Sequence, residues 1–125
     1  MTTQAGVVVT HALAIVKDGV DERDFEKFIM EEWSQLFSAD GGAKGMTGQV
    51  AKADRGDRET GHYLISMHYD SFETREWYFP RPNGVGQGLS EQGQKEFDRA
   101  GFGDAHKRIF ELAELEYRGS GTIIT

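Results

Sequence analysis

The chain has 125 residues, 38% apolar and 28% charged, and 14 Lys plus Arg against 21 Asp plus Glu give a net charge of −7. That is the length and make-up of one globular domain, 1–125, not of a disordered tail. The absence of cysteine excludes disulfides and thiolate catalysis, and an acidic chain without a basic cluster is a poor match for phosphate backbones, so nucleic acid is not an expected partner.

The elements follow in order. Val7 to Val16 is a β-branched run in which Val7, Val9, His11, Leu13 and Ile15 share one face and Val8, Thr10, Ala12, Ala14 and Val16 the other. Both faces are largely apolar, which predicts a strand buried on both sides. Asp21 is placed to cap a helix, and Phe25, Phe28, Ile29, Trp33, Leu36 and Phe37 recur at helical spacing to about Phe37. Met46 to Ala53 and His62 to Tyr69 read as strands around a charged loop, Asp54 to Arg58. Ser71 caps a short helix carrying Phe72, Trp77 and Tyr78. The stretch from about Phe79 to Gly93 holds both prolines and reads as an irregular insertion, placed as a lid. A polar helix from Ser90 is broken at Gly101-Phe102-Gly103; Asp104 is placed as the N-cap of the next one. Leu112 to Tyr117 reads as a strand, and the glycines at 119 and 121 set off Thr122 to Thr125 as a separate tail strand.

No apolar run approaches the ~20 residues of a membrane span, and the start of the chain lacks the pattern of a secretory signal. The expectation is a cytoplasmic protein with no membrane partner. The order β-α-β-β-α-α-β is a ferredoxin-like split βαβ arrangement: an α+β fold whose four-stranded antiparallel sheet carries helices on one face. The other face must also be buried, and pairing two sheets across a two-fold axis does this, which predicts a homodimer.

Several segments carry a resemblance. Ala100-Gly101-Phe102-Gly103-Asp104-Ala105-His106 is similar to the GFGD segment near the C-terminus of the stress-responsive dimeric α+β barrel family. The family's opening strand, with an early His and a Lys-Asp turn, resembles Thr10 to Val20, and Gly61-His62-Tyr63 and Asp70 to Thr74 match its middle. The resemblance implies a dimeric α+β barrel around a small-molecule pocket and, for the family's polyketide cyclases, a cofactor-free aldol-type ring closure. A first-strand His and a second-helix Tyr flank the substrate there; His11 and Tyr78 match them, as general base and partner hydroxyl. The family's third residue, a His before GFGD, falls at Arg99, which suits an anionic or enolate-bearing ligand.

Phe28, Trp33, Trp77 and Phe102 are the aromatic residues that could line such a pocket, with Arg99 beside them. A buried His11 requires a hydrogen-bond partner, with Tyr78 the first candidate and Tyr63 or Tyr69 next. His62, His68 and His106 invite a metal-site reading, but none is read: His62 and His68 are six apart on one strand, about 20 Å by strand rise, and no third ligand accompanies His11 and His68. The glycines at 84, 86 and 88 lack the Lys-Ser/Thr of a phosphate loop. Taken with the resemblance, the sequence points to a protein acting without a cofactor on an aromatic or polyketide-like molecule. A cofactor-free monooxygenase and a non-catalytic ligand-binding dimer are the alternatives.

Overall fold

In the computed structural model, which describes residues 5–37, 41–80 and 88–125, the opening β-branched run forms β1, Val8–Val16. Helix α1, Glu22–Glu31, begins where the Asp21 carboxylate accepts the Arg23 N–H at 2.7 Å, placing negative charge at the positive helix end. The apolar spacing that predicts one helix to Phe37 is divided. The α-helix ends at Glu31, and Trp33–Phe37 is a 3₁₀ turn, whose three-residue repeat puts Trp33 and Leu36 together in the core.

β2, Met46–Lys52, and β3, Tyr63–Tyr69, pair antiparallel with Met46 opposite Tyr69. Gly48 has a packing reason inside β2. A Cβ there would stand 2.7 Å from the Phe37 ring, so the glycine lets that ring lie on the strand. α2, Phe72–Tyr78, starts where Ser71 Oγ accepts the Thr74 N–H at 3.1 Å. α3, Glu91–Arg99, starts with the same device at Ser90, whose Oγ accepts the Gly93 N–H at 3.0 Å. The core of the predicted insertion, residues 81–87, lies outside the described residues.

The GFGD segment joins α3 to α4, Gly103–Leu112. Gly101, at φ +78°, reverses the chain. Phe102 N–H then bonds Phe97 C=O at 2.7 Å and Gly101 N–H bonds Asp98 C=O at 3.1 Å, a Schellman closure sealed by the Phe97–Phe102 ring contact at 5.3 Å. This corrects the placement of Asp104. Phe102 occupies the N-cap position without a side-chain cap, and Asp104 sits in the first turn of α4.

The tail is also corrected. β4 runs unbroken from Ala113 to Thr122 along β1. A bulge between His11 and Ala12 absorbs Arg118, with Gly119 at φ +139°, so the glycines mark a bulge and not a strand end. Pairing continues past β4, where Ile123 N–H bonds Val7 C=O at 2.8 Å.

The sheet order is β2-β3-β1-β4 with every neighbouring pair antiparallel, the ferredoxin-like arrangement the element order predicts, with α3 as the additional helix. Val8, Ala12 and Ala14 of β1 and Tyr63, Ile65, Met67 and Tyr69 of β3 face the helices and form the core with Phe25, Phe28, Phe97, Phe102 and Ile109. Among the described residues no helix is long and apolar enough to cross a membrane.

The opposite face carries Val9, His11, Leu13 and Ile15 of β1 and Leu64, Ser66 and His68 of β3. Burial of β1 on both sides holds only in part. Leu13 is 0% exposed, whereas His11 is exposed. The β2–β3 loop is tied to β4 beside Leu13: Arg58 Nε donates to Glu116 Oε2 at 3.0 Å, and Glu116 is the β4 neighbour of Leu13. A second tie joins Arg118 to Glu59 at 3.3 Å.

Candidate functional site

His11 and Tyr78 do not meet. His11 lies on the sheet face turned away from the helices, and its Nδ1 is 3.3 Å from Ser66 Oγ, its cross-strand neighbour. The partner expected from the helix layer, Tyr78 or else Tyr63 or Tyr69, is therefore replaced by a serine of the adjacent strand, because the side-chain alternation of β1 turns residue 11 outward. Tyr63 instead donates to Glu26 at 2.6 Å.

Tyr78 is 1% exposed on the helix side, tilted against Tyr69 at 6.3 Å and stacked on Phe97 at 5.5 Å. Its hydroxyl donates to Lys44 C=O at 2.6 Å. Burial pushes its pKa well above the ordinary tyrosine value, and the nearby Glu96 charge adds to this. Such a hydroxyl stays protonated and is already engaged by a backbone carbonyl.

Arg99 belongs to the same corner. Its Nε donates to Glu96 Oε1 at 2.7 Å, and its Nη2 donates to Glu96 Oε2 at 2.6 Å and to Gly42 C=O at 3.0 Å. Glu96, 9% exposed, also accepts the Lys44 N–H at 2.9 Å. The Arg99 guanidinium holds the Glu96 carboxyl down to about 2, aided by the Lys44 N–H and opposed by burial. These contacts tie α2, α3 and the turn before β2 together, with the guanidinium satisfied by protein groups.

Trp33 and Phe102 do converge. With Ile65, Met67, Phe97 and His106 they line a cavity of about 20 Å³ between the helices and the sheet, roughly the space of one water. His106 sits among aromatic rings, 5.1 Å from Phe97, 5.6 Å from Phe110 and 6.2 Å from Phe102, and its Nε2 is buried. Sequence reasoning weighed His106 only as a metal ligand. The signal that places it here is its spacing of four from both Phe102 and Phe110, which puts all three on one side of α4.

Phe28 and Trp77 lie elsewhere. Phe28 is buried at the wall of an open groove of about 540 Å³ with Arg108 over its ring at 5.7 Å. Trp77 is 42% exposed and meets the Tyr78 ring edge-on at 4.8 Å, beside a shallow groove flanked by Asp70 and Glu73. Among the described residues no three His, Asp or Glu side chains come together to hold a metal ion.

Compared with models of protein families, with curated proteins and with solved structures, the chain gives no match.

Proposed function

We propose that this chain is a small-molecule-binding protein of the dimeric α+β barrel type, taking an aromatic ligand in the cavity at Trp33, Phe102 and His106. One observation supports this best: a single imidazole set in a wall that is otherwise apolar and largely aromatic. Ligand pockets have this make-up, an apolar lining with a few polar groups that fix orientation. The cavity is smaller than an aromatic ring, so binding requires side chains to turn aside. Phe110 and Leu115, half-buried on its wall, are the side chains placed to do so. A phenol or enol would then place its hydroxyl against the His106 ring and its carbon skeleton against Trp33 and Phe102. The protein works as a homodimer in this reading, a second copy covering the open sheet face.

The ring-closing chemistry implied by the GFGD resemblance needs His11 and Tyr78 on one substrate, and they lie on opposite faces of the sheet. We therefore place ligand binding ahead of catalysis. A second reading, a cofactor-free proton-transfer enzyme acting on a polyketide-like molecule, draws on the exposed His11 ring. With Nδ1 beside Ser66 Oγ, Nε2 is the nitrogen left for proton transfer.

A thermal-shift screen of phenols, naphthols and polyketide-like aromatics separates the readings, because a ligand that binds only the folded chain raises its melting temperature. Shifts that survive in His11→Ala and vanish in His106→Phe are expected. Shifts lost in His11→Ala and kept in His106→Phe would move the site to the open face. A screen without shifts would remove the ligand-binding reading.

A further inference from the structure

The open sheet face carries two histidines that the proposed ligand site does not use. We propose that this face joins two copies of the chain and that His11 and His68 make the joint acid-labile. The inference rests on the homodimer reading above and adds its control.

His11 is exposed and His68 half-buried on neighbouring strands. The register sets His11 opposite Ser66 and His68 opposite Val9, so the two imidazoles are diagonal neighbours on one face. Around them β1, β2 and β3 present Val9, Thr47, Gln49, Leu64 and Ser66, with no Asp, Glu, Lys or Arg on that face of the three strands. In a chain that is 28% charged with a net charge of −7, this is where two copies can meet without opposing like charges. That neutrality argues for a second copy as the occupant.

The charged groups near the face stand at its borders. Glu114 and Glu116 lie on β4, and Arg58, Glu59, His62 and Arg118 gather over the Leu13 end, where Arg58 and Arg118 face Glu116 and Glu59. Asp70 shares a groove with His68 at the other end, its carboxylate accepting the Thr74 hydroxyl. Neither border places a carboxylate between the two histidines.

A two-fold contact uses the same surface twice, so each dimer brings four imidazoles to one interface. Taking a charged imidazolium out of water is unfavourable, so the dimer binds fewer protons than two separate copies. By linkage, acid then favours separation, and the dimer is strongest above the range in which histidine titrates.

The test is sedimentation of the whole chain at about pH 8 and about pH 5.5, either side of an ordinary imidazole titration, at one ionic strength and with chelator present. The expected result is a dimer at the higher pH whose affinity falls at least about tenfold at the lower, the equivalent of one pKa unit at a single histidine. The doubly substituted H11Q/H68Q chain is expected to dimerise equally at both. H11Q and H68Q singly, each keeping part of the response, serve if the double variant does not fold. A dimer equally strong at both pH values overturns this inference and leaves the homodimer standing. So does a pH response that persists unchanged in the double variant, which would assign it to His62 or the border carboxylates. A monomer at both pH values overturns the dimer and its switch together.

Discussion

His11 and Tyr78 stand on opposite faces of the same sheet, one beside Ser66 in the open, the other beneath α3 with its hydroxyl on Lys44 C=O. Tyr78 is thus a structural hydroxyl. Replacing it with Phe removes the donor from the Lys44 carbonyl, a loss of about 1 kcal/mol. Tyr78→Phe is expected to lower the melting temperature by about 4 °C and leave aromatic ligand binding unchanged. Loss of binding at unchanged stability would return Tyr78 to the site.

Glu96 gives the clearest pH dependence. Its carboxyl ionises near 2 in the folded chain against an ordinary value of 4.5, so the unfolded chain binds more protons between those values. The stabilisation is therefore complete above about pH 4.5 and fades as the pH falls toward 2. Glu96→Gln is expected to cost about 1.5–3 kcal/mol at neutral pH, the scale of hydrogen bonds to a charged group. Urea unfolding of both chains should show that gap narrowing below about pH 4.5. A gap that stays constant from neutral pH down to about pH 3 would contradict the role given to the Arg99 pair.

Gly48 tests the packing of the 3₁₀ turn on β2. An alanine there would bring Cβ to 2.7 Å from the Phe37 ring and 3.0 Å from Ser66 C=O. Overpacking of this kind costs about 1–3 kcal/mol. Gly48→Ala should destabilise the chain by that amount, and Phe37→Leu in the same chain should recover part of it. A neutral Gly48→Ala would mean the ring does not lie there.

Where local chemistry decides structure, the sequence was a good guide. The caps at Asp21 and Ser71, the alternation of β3 and the β-α-β-β order all follow from side chains that bond or pack near themselves. Long-range contacts decided the rest. Apolar residues on both faces of β1 suggested equal burial, yet on the outer side Leu13 is buried and His11 exposed, and a charged loop is tied to β4 only at the Leu13 end. The glycines near the C-terminus read as a break because nothing local reveals that β4 goes on pairing with β1 past a bulge at Arg118. The candidate site was half legible: Trp33 and Phe102 were named and do meet, but His106, on the same cavity wall, was weighed only as a metal ligand.

The most direct test of the binding account reads Trp33 itself. The chain has two tryptophans, so Trp77→Phe leaves Trp33 as the sole indole emitter, with its ring 5.9 Å from Phe102 at the cavity wall. Titrating that variant with 1-naphthol, excited where the indole dominates and corrected for ligand emission, should quench Trp33 saturably. The same titration of Trp77→Phe/His106→Phe should show at least about tenfold weaker binding, on the scale of one lost hydrogen bond in a buried site. Trp33 emission that stays unchanged while calorimetry reports naphthol bound would place the ligand elsewhere and contradict the account.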